Sequence, residues 1–274
     1  MKDELTVADA AAVFKAQSLE YTRQLRLSGM HDELCRILGR PEYEAMSHLE
    51  WIHHLLGTEV DQRGQRRVQR LLKDSGIGSG DPSDLSRLTR LEERNINATL
   101  LKWLGSCEWL RGDDFVPPIL ITGATGTGKS FLAKALGKAA IRKGLSTYYV
   151  RLPQFLELMR GYFLQNRMST FRSRMNRYRL LIVDDWGMSV MNDQDQSDIL
   201  SLFDERIGNA GLVIASQLPV GDWYEYIGEG YHADALMDRL VNGSHKIELK
   251  GESMRSINAR RRAKKETEAY TQNP

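Results

Sequence analysis

The chain has 274 residues and 31.2 kDa, with 38 Lys and Arg against 36 Asp and Glu, so its formal net charge is only +2. That length holds one sizeable core plus a smaller appendage, and a charge this near zero excludes arguing a nucleic-acid partner from the total. No stretch has the apolar length of a membrane span and the N-terminus has no apolar signal region, so a soluble, cytoplasmic protein without a membrane partner is expected. The tetrapeptide within Met1-Lys2-Asp3-Glu4-Leu5 matches a retention signal by letter only, at the wrong end of a chain. Cys35 and Cys107 lie far apart without CxxC spacing and read most simply as buried thiols of a reducing compartment.

From about Thr6 to Ile77 the pattern is helical, with Pro41 as its breaker. Between Val60 and Lys73, about 100° per residue sets Arg63, Arg66, Arg67, Arg70 and Lys73 on one side and Val60, Val68, Leu71 and Leu72 on the other. Such a helix packs by its apolar face and shows cations, either as ordinary solvated surface or as phosphate contacts. His48, His53 and His54 do not make a metal motif, because Glu50 is misplaced for HExxH and no second cluster accompanies them. Gly76-Ile77-Gly78-Ser79-Gly80-Asp81-Pro82-Ser83 is rich in small and breaking residues and marks a boundary. Asp84 to Trp109 then reads as helical, up to Pro117-Pro118.

Beyond the prolines, apolar runs alternate with helical patterns. Ile119-Leu120-Ile121 leads as the first buried strand, and Tyr148-Tyr149-Val150 follows the Lys143-Gly144 helix stop. Leu180-Leu181-Ile182-Val183 and Leu212-Val213-Ile214-Ala215 suit strands covered on both faces, while His245-Lys246-Ile247-Glu248-Leu249 alternates like an edge strand. Helices between buried strands imply a parallel sheet in three αβα layers.

Gly123-Ala124-Thr125-Gly126-Thr127-Gly128-Lys129-Ser130 fits the phosphate-binding loop at every fixed position. Its glycines permit the dihedrals that turn amides inward, Lys129 reaches the β/γ-phosphates, and Ser130 holds Mg²⁺. The helix that follows faces the anion with its N-terminal dipole. Such a loop between a strand and a helix predicts nucleoside triphosphate binding. Asp184 and Asp185 end the third apolar run, so Asp184 can meet the Mg²⁺ and Asp185 can orient or deprotonate the attacking water. Gln217, after the next run, can hydrogen-bond that water or the γ-phosphate. Arg239 and Arg255 follow the core strands, where an arginine pairs within its own chain or reaches a neighbour's γ-phosphate.

These segments, with Leu181-Ile182-Val183-Asp184-Asp185-Trp186-Gly187, Ile214-Ala215-Ser216-Gln217-Leu218-Pro219, Asp238-Arg239-Leu240 and Gly251-Glu252-Ser253-Met254-Arg255, resemble in order and spacing the IstB/DnaC group of AAA+ ATPases. Upstream, Leu25 to Met30 and Glu59 to Lys73 are similar to the helical N-terminal domain of IstB, the ATP-binding helper of an insertion-sequence transposase. The resemblance runs from about Leu25 to Arg255. It implies ATP and Mg²⁺ as ligands, Lys129 and Ser130 as Walker A residues, Asp184 and Asp185 as the Walker B pair, Gln217 as sensor, Arg239 as arginine finger, and Arg255 as the arginine of a closing motif at the nucleotide. Asp185 stands where the family often has Glu, which implies slow hydrolysis, and Gln217 where Asn is usual.

Between Glu157 and Asp184 lie Arg160, Arg167, Arg172, Arg174, Arg177 and Arg179 without an acid. Interleaved with Phe163, Phe171 and Tyr178, they read as solvated surface or as phosphate contacts, and the resemblance to initiator-type AAA+ proteins favours DNA. Arg260-Arg261-Arg262 and Lys264-Lys265 form a basic tail. The 19 residues after Arg255 are too few for a multi-helix lid, so a neighbouring subunit is expected to complete the site. The expected domains are 1–77 (helical, partner- or DNA-binding), 78–254 (ATPase) and 255–274 (tail). The leading expectation is a helper that oligomerises on double-stranded DNA with ATP at subunit interfaces, remodels its target and recruits or stimulates a transposase. A DnaC-type helicase loader is the alternative, and a non-hydrolysing ATP-gated scaffold a third.

Overall fold

A computed structural model describes residues 7–38, 40, 46–111, 115–227, 231–257, 259–260 and 263. Pro41 and Arg261, Arg262, Lys264 and Lys265 of the basic tail lie outside them. The chain divides into two compact units, Met1–Arg70 and Leu71–Pro274.

The first unit holds α1 (Val7–Gln24), α2 (Ser28–Ile37) and most of α3 (His48–Asp74). Its packing differs from the helical-wheel expectation. Val60 is 68% exposed, and α3 buries Glu59 instead. The Glu59 carboxylate accepts the Met30 N–H (3.1 Å) in the first turn of α2, supplying a partner that a helix start lacks. Gly29 lets the helices meet there, because a Cβ would stand 2.9 Å from the Glu59 Cα. His54 Nε2 meets Glu33 Oε1 at 2.5 Å.

The second unit runs through α4 (Ala98–Ser106), β1 (Ile119–Gly123), α5 (Lys129–Arg142), β2 (Thr147–Arg151), α6 (Leu152–Leu164), α7 (Met168–Asn176), β3 (Leu180–Trp186), α8 (Asp193–Arg206), β4 (Gly211–Ser216), α9 (Trp223–Ile227), α10 (Tyr231–Asn242) and β5 (His245–Leu249). All strands pair in parallel, in the order β2-β3-β4-β1-β5. The segments read as strands all form them, with β5 at one edge as its alternation predicts and β2 at the other. Cys107 is buried as expected, but Cys35 is exposed, because it lies on the outer face of α2. Ile119, Ile121, Ile182, Val213 and Ala215 face one layer with α4 and α5, while Leu120, Leu181, Val183, Leu212 and Ile214 face the other with α6, α7, α8 and α10. This is the three-layer α/β architecture.

Asp84 to Trp109 is less helical than its pattern predicts. Asp84 draws the Ser86 N–H into a local turn, Arg90 and Asn95 take left-handed φ of 57° and 58°, and Asn97 starts α4 by accepting the Leu100 N–H. Short polar side chains that bond nearby backbone compete with helix, and here they win until Asn97. Segment 75–84 is fastened to the second unit. The Tyr149 N–H donates to the Ser75 carbonyl (2.7 Å), and Asp81 meets Lys134 (3.0 Å) and Lys138 (3.7 Å) of α5.

Candidate nucleotide-binding site

Because β1 lies between β4 and β5, the carboxyl ends of β1 and β4 open beside one another, with β3 next in order. Crevices at that edge of a parallel sheet are where such folds bind ligands. The loop from Gly123 to Gly128 fills this place. Gly123, Gly126 and Gly128 have φ of 143°, 84° and 105°, all in the region that favours glycine. A Cβ on Gly123 would stand 2.3 Å from the Leu249 carbonyl oxygen, so the loop also needs glycine for close approach. The Lys129 ammonium is buried and donates to the carbonyls of Gly123 (2.8 Å) and Ala124 (2.9 Å). Burial lowers its pKa, with Arg255 acting in the same direction, while Asp184 and Asp185 raise it. Those opposed influences place both acids and Arg255 in the electrostatic field of Lys129.

The two acids differ in environment. A register shift between Val183 and Trp186 interrupts the pairing of β3 with β4. Asp184 is 1% exposed, and its Oδ2 accepts the Tyr149 hydroxyl (2.7 Å). Burial and that carboxylate both push the tyrosine's pKa up, so Tyr149 is a neutral donor. Asp185 turns the backbone to φ 56°, strained for a residue with a Cβ. Its amide donates to Asp184 Oδ1 (2.9 Å), and its Oδ2 accepts Arg151 Nε at 2.5 Å.

Gln217 comes to the loop: its Oε1 accepts the Thr125 hydroxyl at 2.5 Å. The closing segment also docks on it. The Met254 N–H donates to the Gly126 carbonyl (2.9 Å), and a Cβ on Gly126 would stand 2.2 Å from Ser253 Oγ. Arg239 goes elsewhere, as an exposed residue of α10 paired with Asp204 of α8 (2.6 Å). The structure brings Gln217 and the segment carrying Arg255 to the loop, whereas Arg239 lies on α10, which with α8 covers the sheet face opposite α5.

The donor set fits a magnesium nucleotide. The positive φ values of the loop's glycines turn successive amides toward one concavity, and Ser130 with Asp184 would offer the hard oxygen ligands Mg²⁺ prefers.

The basic stretch sorts into different roles. Arg160 grips Asp195 (2.5 and 3.0 Å), the residue that closes the N-terminus of α8 with Asn192. Arg172 approaches Glu205 (4.0 Å), Arg174 donates to the Tyr162 hydroxyl (3.3 Å), and Arg167 lies over the Tyr162 ring (5.8 Å). Arg167, Arg174 and Arg177 are exposed, as is Phe163 at the end of α6. Phe171 corrects the expectation of a presented aromatic: it is fully buried, because α7 packs by Phe171 and Met175. In the first unit, Arg63 pairs with Glu59 (2.6 Å), and Arg67 and Arg70 are exposed.

Sequence reasoning missed Tyr149, Arg151, Ser253 and Arg94. Tyr149 was read only as part of a strand, and nothing local in the sequence marks Arg94, whose guanidinium donates to the Thr127 carbonyl.

The family model described as IstB-like ATP binding protein matches residues 21–263. The chain is 34% identical over 250 residues to y4pL of Sinorhizobium fredii, described as an insertion sequence ATP-binding protein, covering 90% of this chain and 98% of that one. It is also 34% identical over 248 residues to y4uH of the same organism, described alike, covering 89% and 97%. Among solved structures, AMPPCP-bound DnaA from Aquifex aeolicus shares the fold, with a TM-score of 0.50 and 21% identity over 64% of this chain and 52% of that one. No helix among the described residues is long and apolar enough to cross a membrane.

Proposed function

The chain belongs to the IstB-like ATP-binding proteins, P-loop ATPases of the AAA+ fold, and from that premise we propose that it is an ATP-dependent regulator of insertion-sequence transposition. It assembles on double-stranded DNA, remodels it and recruits or stimulates the transposase. Relatives described as insertion-sequence proteins support this reading over a helicase loader.

In the proposed site, Lys129 and the amides of Gly123 to Gly128 bind the β- and γ-phosphates. Ser130 and Asp184 hold Mg²⁺, which supplies neutralising charge on the phosphates. Asp185 is the base that takes a proton from the attacking water, and Gln217 orients that water. Arg255 adds positive charge beside Lys129. Arg239 serves in trans: on a helix across the sheet from the loop helix, it is suited to a neighbour's γ-phosphate rather than its own. Assembly would then be a condition for hydrolysis. Arg167, Arg172, Arg174 and Arg177, with Arg63, Arg67 and Arg70 of α3, supply phosphate contacts to DNA. Arg160 contributes there only through the charge it retains while bound to Asp195.

The observation that carries this reading is the glycine loop with buried Lys129 in the field of Asp184 and Asp185. Calorimetry of MgATP against wild type and Lys129→Ala tests it. Wild type should bind and the variant should not, and equal binding by both sinks the assignment.

A further inference from the structure

Arg94 lies in the turn ahead of α4, and that turn is tied to the segment after β5. The Lys250 N–H donates to the Arg94 carbonyl (3.2 Å), and the Asn95 side chain donates to the Glu248 carbonyl (3.1 Å). Gly251 packs on the Glu93 carbonyl, where a Cβ would stand 3.1 Å from the oxygen. With its backbone held, Arg94 sends its side chain to the outer side of the phosphate-binding loop. It is 7% exposed, its Nη1 donates to the Thr127 carbonyl, and that nitrogen lies 3.3 Å from where a Cβ of Gly128 would stand.

A buried guanidinium usually faces a carboxylate, whereas this one faces a peptide oxygen. Burial, and then Arg90, lower its pKa, yet an arginine keeps its charge in proteins. The identity of the acceptor matters. The Thr127 carbonyl and the Gly128 N–H belong to one resonant peptide group, so a cation on the oxygen draws electron density toward it and strengthens the N–H as a donor. Gly126 and Gly128 hold the left-handed φ values that turn successive amides into an anion-binding concavity.

We propose that Arg94 is a positioning residue for the triphosphate, acting through the Thr127–Gly128 peptide to make the Gly128 amide a stronger phosphate donor and to keep the loop in register. This rests on the reading of residues 123–130 as the nucleotide loop. The charge is supplied from the chain ahead of the loop and reaches the anion without a side chain entering the cradle. A side chain at Gly128 would crowd the same nitrogen and would have to adopt a left-handed φ of 105°.

The test compares wild type with Arg94→Gln and Arg94→Lys in the full chain, by calorimetric titration with MgATP, MgADP and inorganic tripolyphosphate. Arg94→Gln should lose about tenfold or more in affinity for all three probes, as expected for loss of one charge-assisted hydrogen bond. Arg94→Lys should recover most of that loss, and turnover at saturating ATP should change far less than affinity. Wild-type affinity in Arg94→Gln overturns the proposal. So does an equal loss in Arg94→Lys and Arg94→Gln accompanied by an equal fall in melting temperature, which is the mark of a merely structural strut. Wild type that binds no MgATP overturns the loop assignment itself and the Arg94 role with it. If Arg94→Gln does not fold, Arg94→Lys alone decides: tripolyphosphate and MgATP affinity within a few-fold of wild type supports a charge-borne role, and a tenfold loss overturns it.

Discussion

Arg151 holds Asp185 through a 2.5 Å bond from Nε to Oδ2, across 34 residues of sequence. The pair is possible because Arg151 ends β2 in register with Asp184, and the irregular end of β3 then turns Asp185 toward it. Asp185 raises the arginine's pKa, first through the hydrogen bond and then through its charge. A carboxylate oxygen engaged by a guanidinium is not free to receive a water's proton. If Asp185 is the base, Arg151→Ala should raise DNA-independent ATP turnover several-fold and shrink the stimulation by DNA. Steady-state ATPase assays with and without duplex DNA check this, and a fall in basal turnover would count against Arg151 as a restraint.

Tyr149 is the only hydroxyl shown bonded to Asp184 among the described residues, and that carboxylate is 1% exposed. Tyr149→Phe leaves the ring in place and removes the donor, at a cost of about 1–3 kcal/mol for the unsatisfied buried acceptor. Magnesium-free ATP should bind as before. The Mg²⁺ concentration needed for half-maximal enhancement of ATP binding should rise by about three- to tenfold, on the order of 1 kcal/mol. Titrating Mg²⁺ at fixed ATP by fluorescence reads this directly.

Arg239, on α10 and paired with Asp204 of α8, is proposed to serve a neighbour's site. Arg239→Ala should bind ATP normally and hydrolyse it poorly. Mixed with Lys129→Ala, it should recover part of the lost turnover, because mixed interfaces contain one intact loop facing one intact arginine. No recovery at any mixing ratio argues that Arg239 acts within its own chain.

Asp81 ties segment 75–84 to α5, and its pKa is lowered from 3.8 to about 2. Burial alone would raise it, but bonds from the Ser83 hydroxyl and amide and from Lys134 outweigh that. A carboxyl depressed on folding stabilises the native state above its unfolded pKa and loses that contribution as pH falls through the folded one. The window is therefore about pH 4 down to 2, and the contribution is on the order of 2 kcal/mol. Asp81→Asn should be less stable than wild type at pH 7, with the difference vanishing near pH 2. Urea unfolding across that range measures it.

Arg160 and Arg177 should behave differently although both belong to the basic stretch. Arg160→Ala leaves buried Asp195 without its guanidinium and disturbs the start of α8, so it should lower the melting temperature. Arg177→Ala should leave stability unchanged and reduce the slope of log K for DNA against log salt by about 1. Thermal melts and salt-dependent binding separate the two effects, and matching behaviour would contradict this division.

Residues 119–130 needed only themselves to be read, because an apolar run, spaced glycines and a helix start are local properties of the backbone. The same holds for the four other strands, whose covered or alternating faces appear directly as hydrophobic pattern. What lay beyond the sequence were pairings between distant segments: Arg94 with Thr127, Tyr149 with Asp184, Arg151 with Asp185, Ser253 against Gly126. Helical spacing misassigned Val60, because a wheel gives relative angles and only packing decides which angle faces inward, and the interleaving of Phe171 with arginines said nothing of its burial. Periodicity is encoded residue by residue and so determines strands, loop and layer order. The partner of a charged side chain is set by strand order and crossover, and only the assembled sheet decided that Arg94 meets the Thr127 carbonyl, Arg151 meets Asp185 and Arg239 meets Asp204.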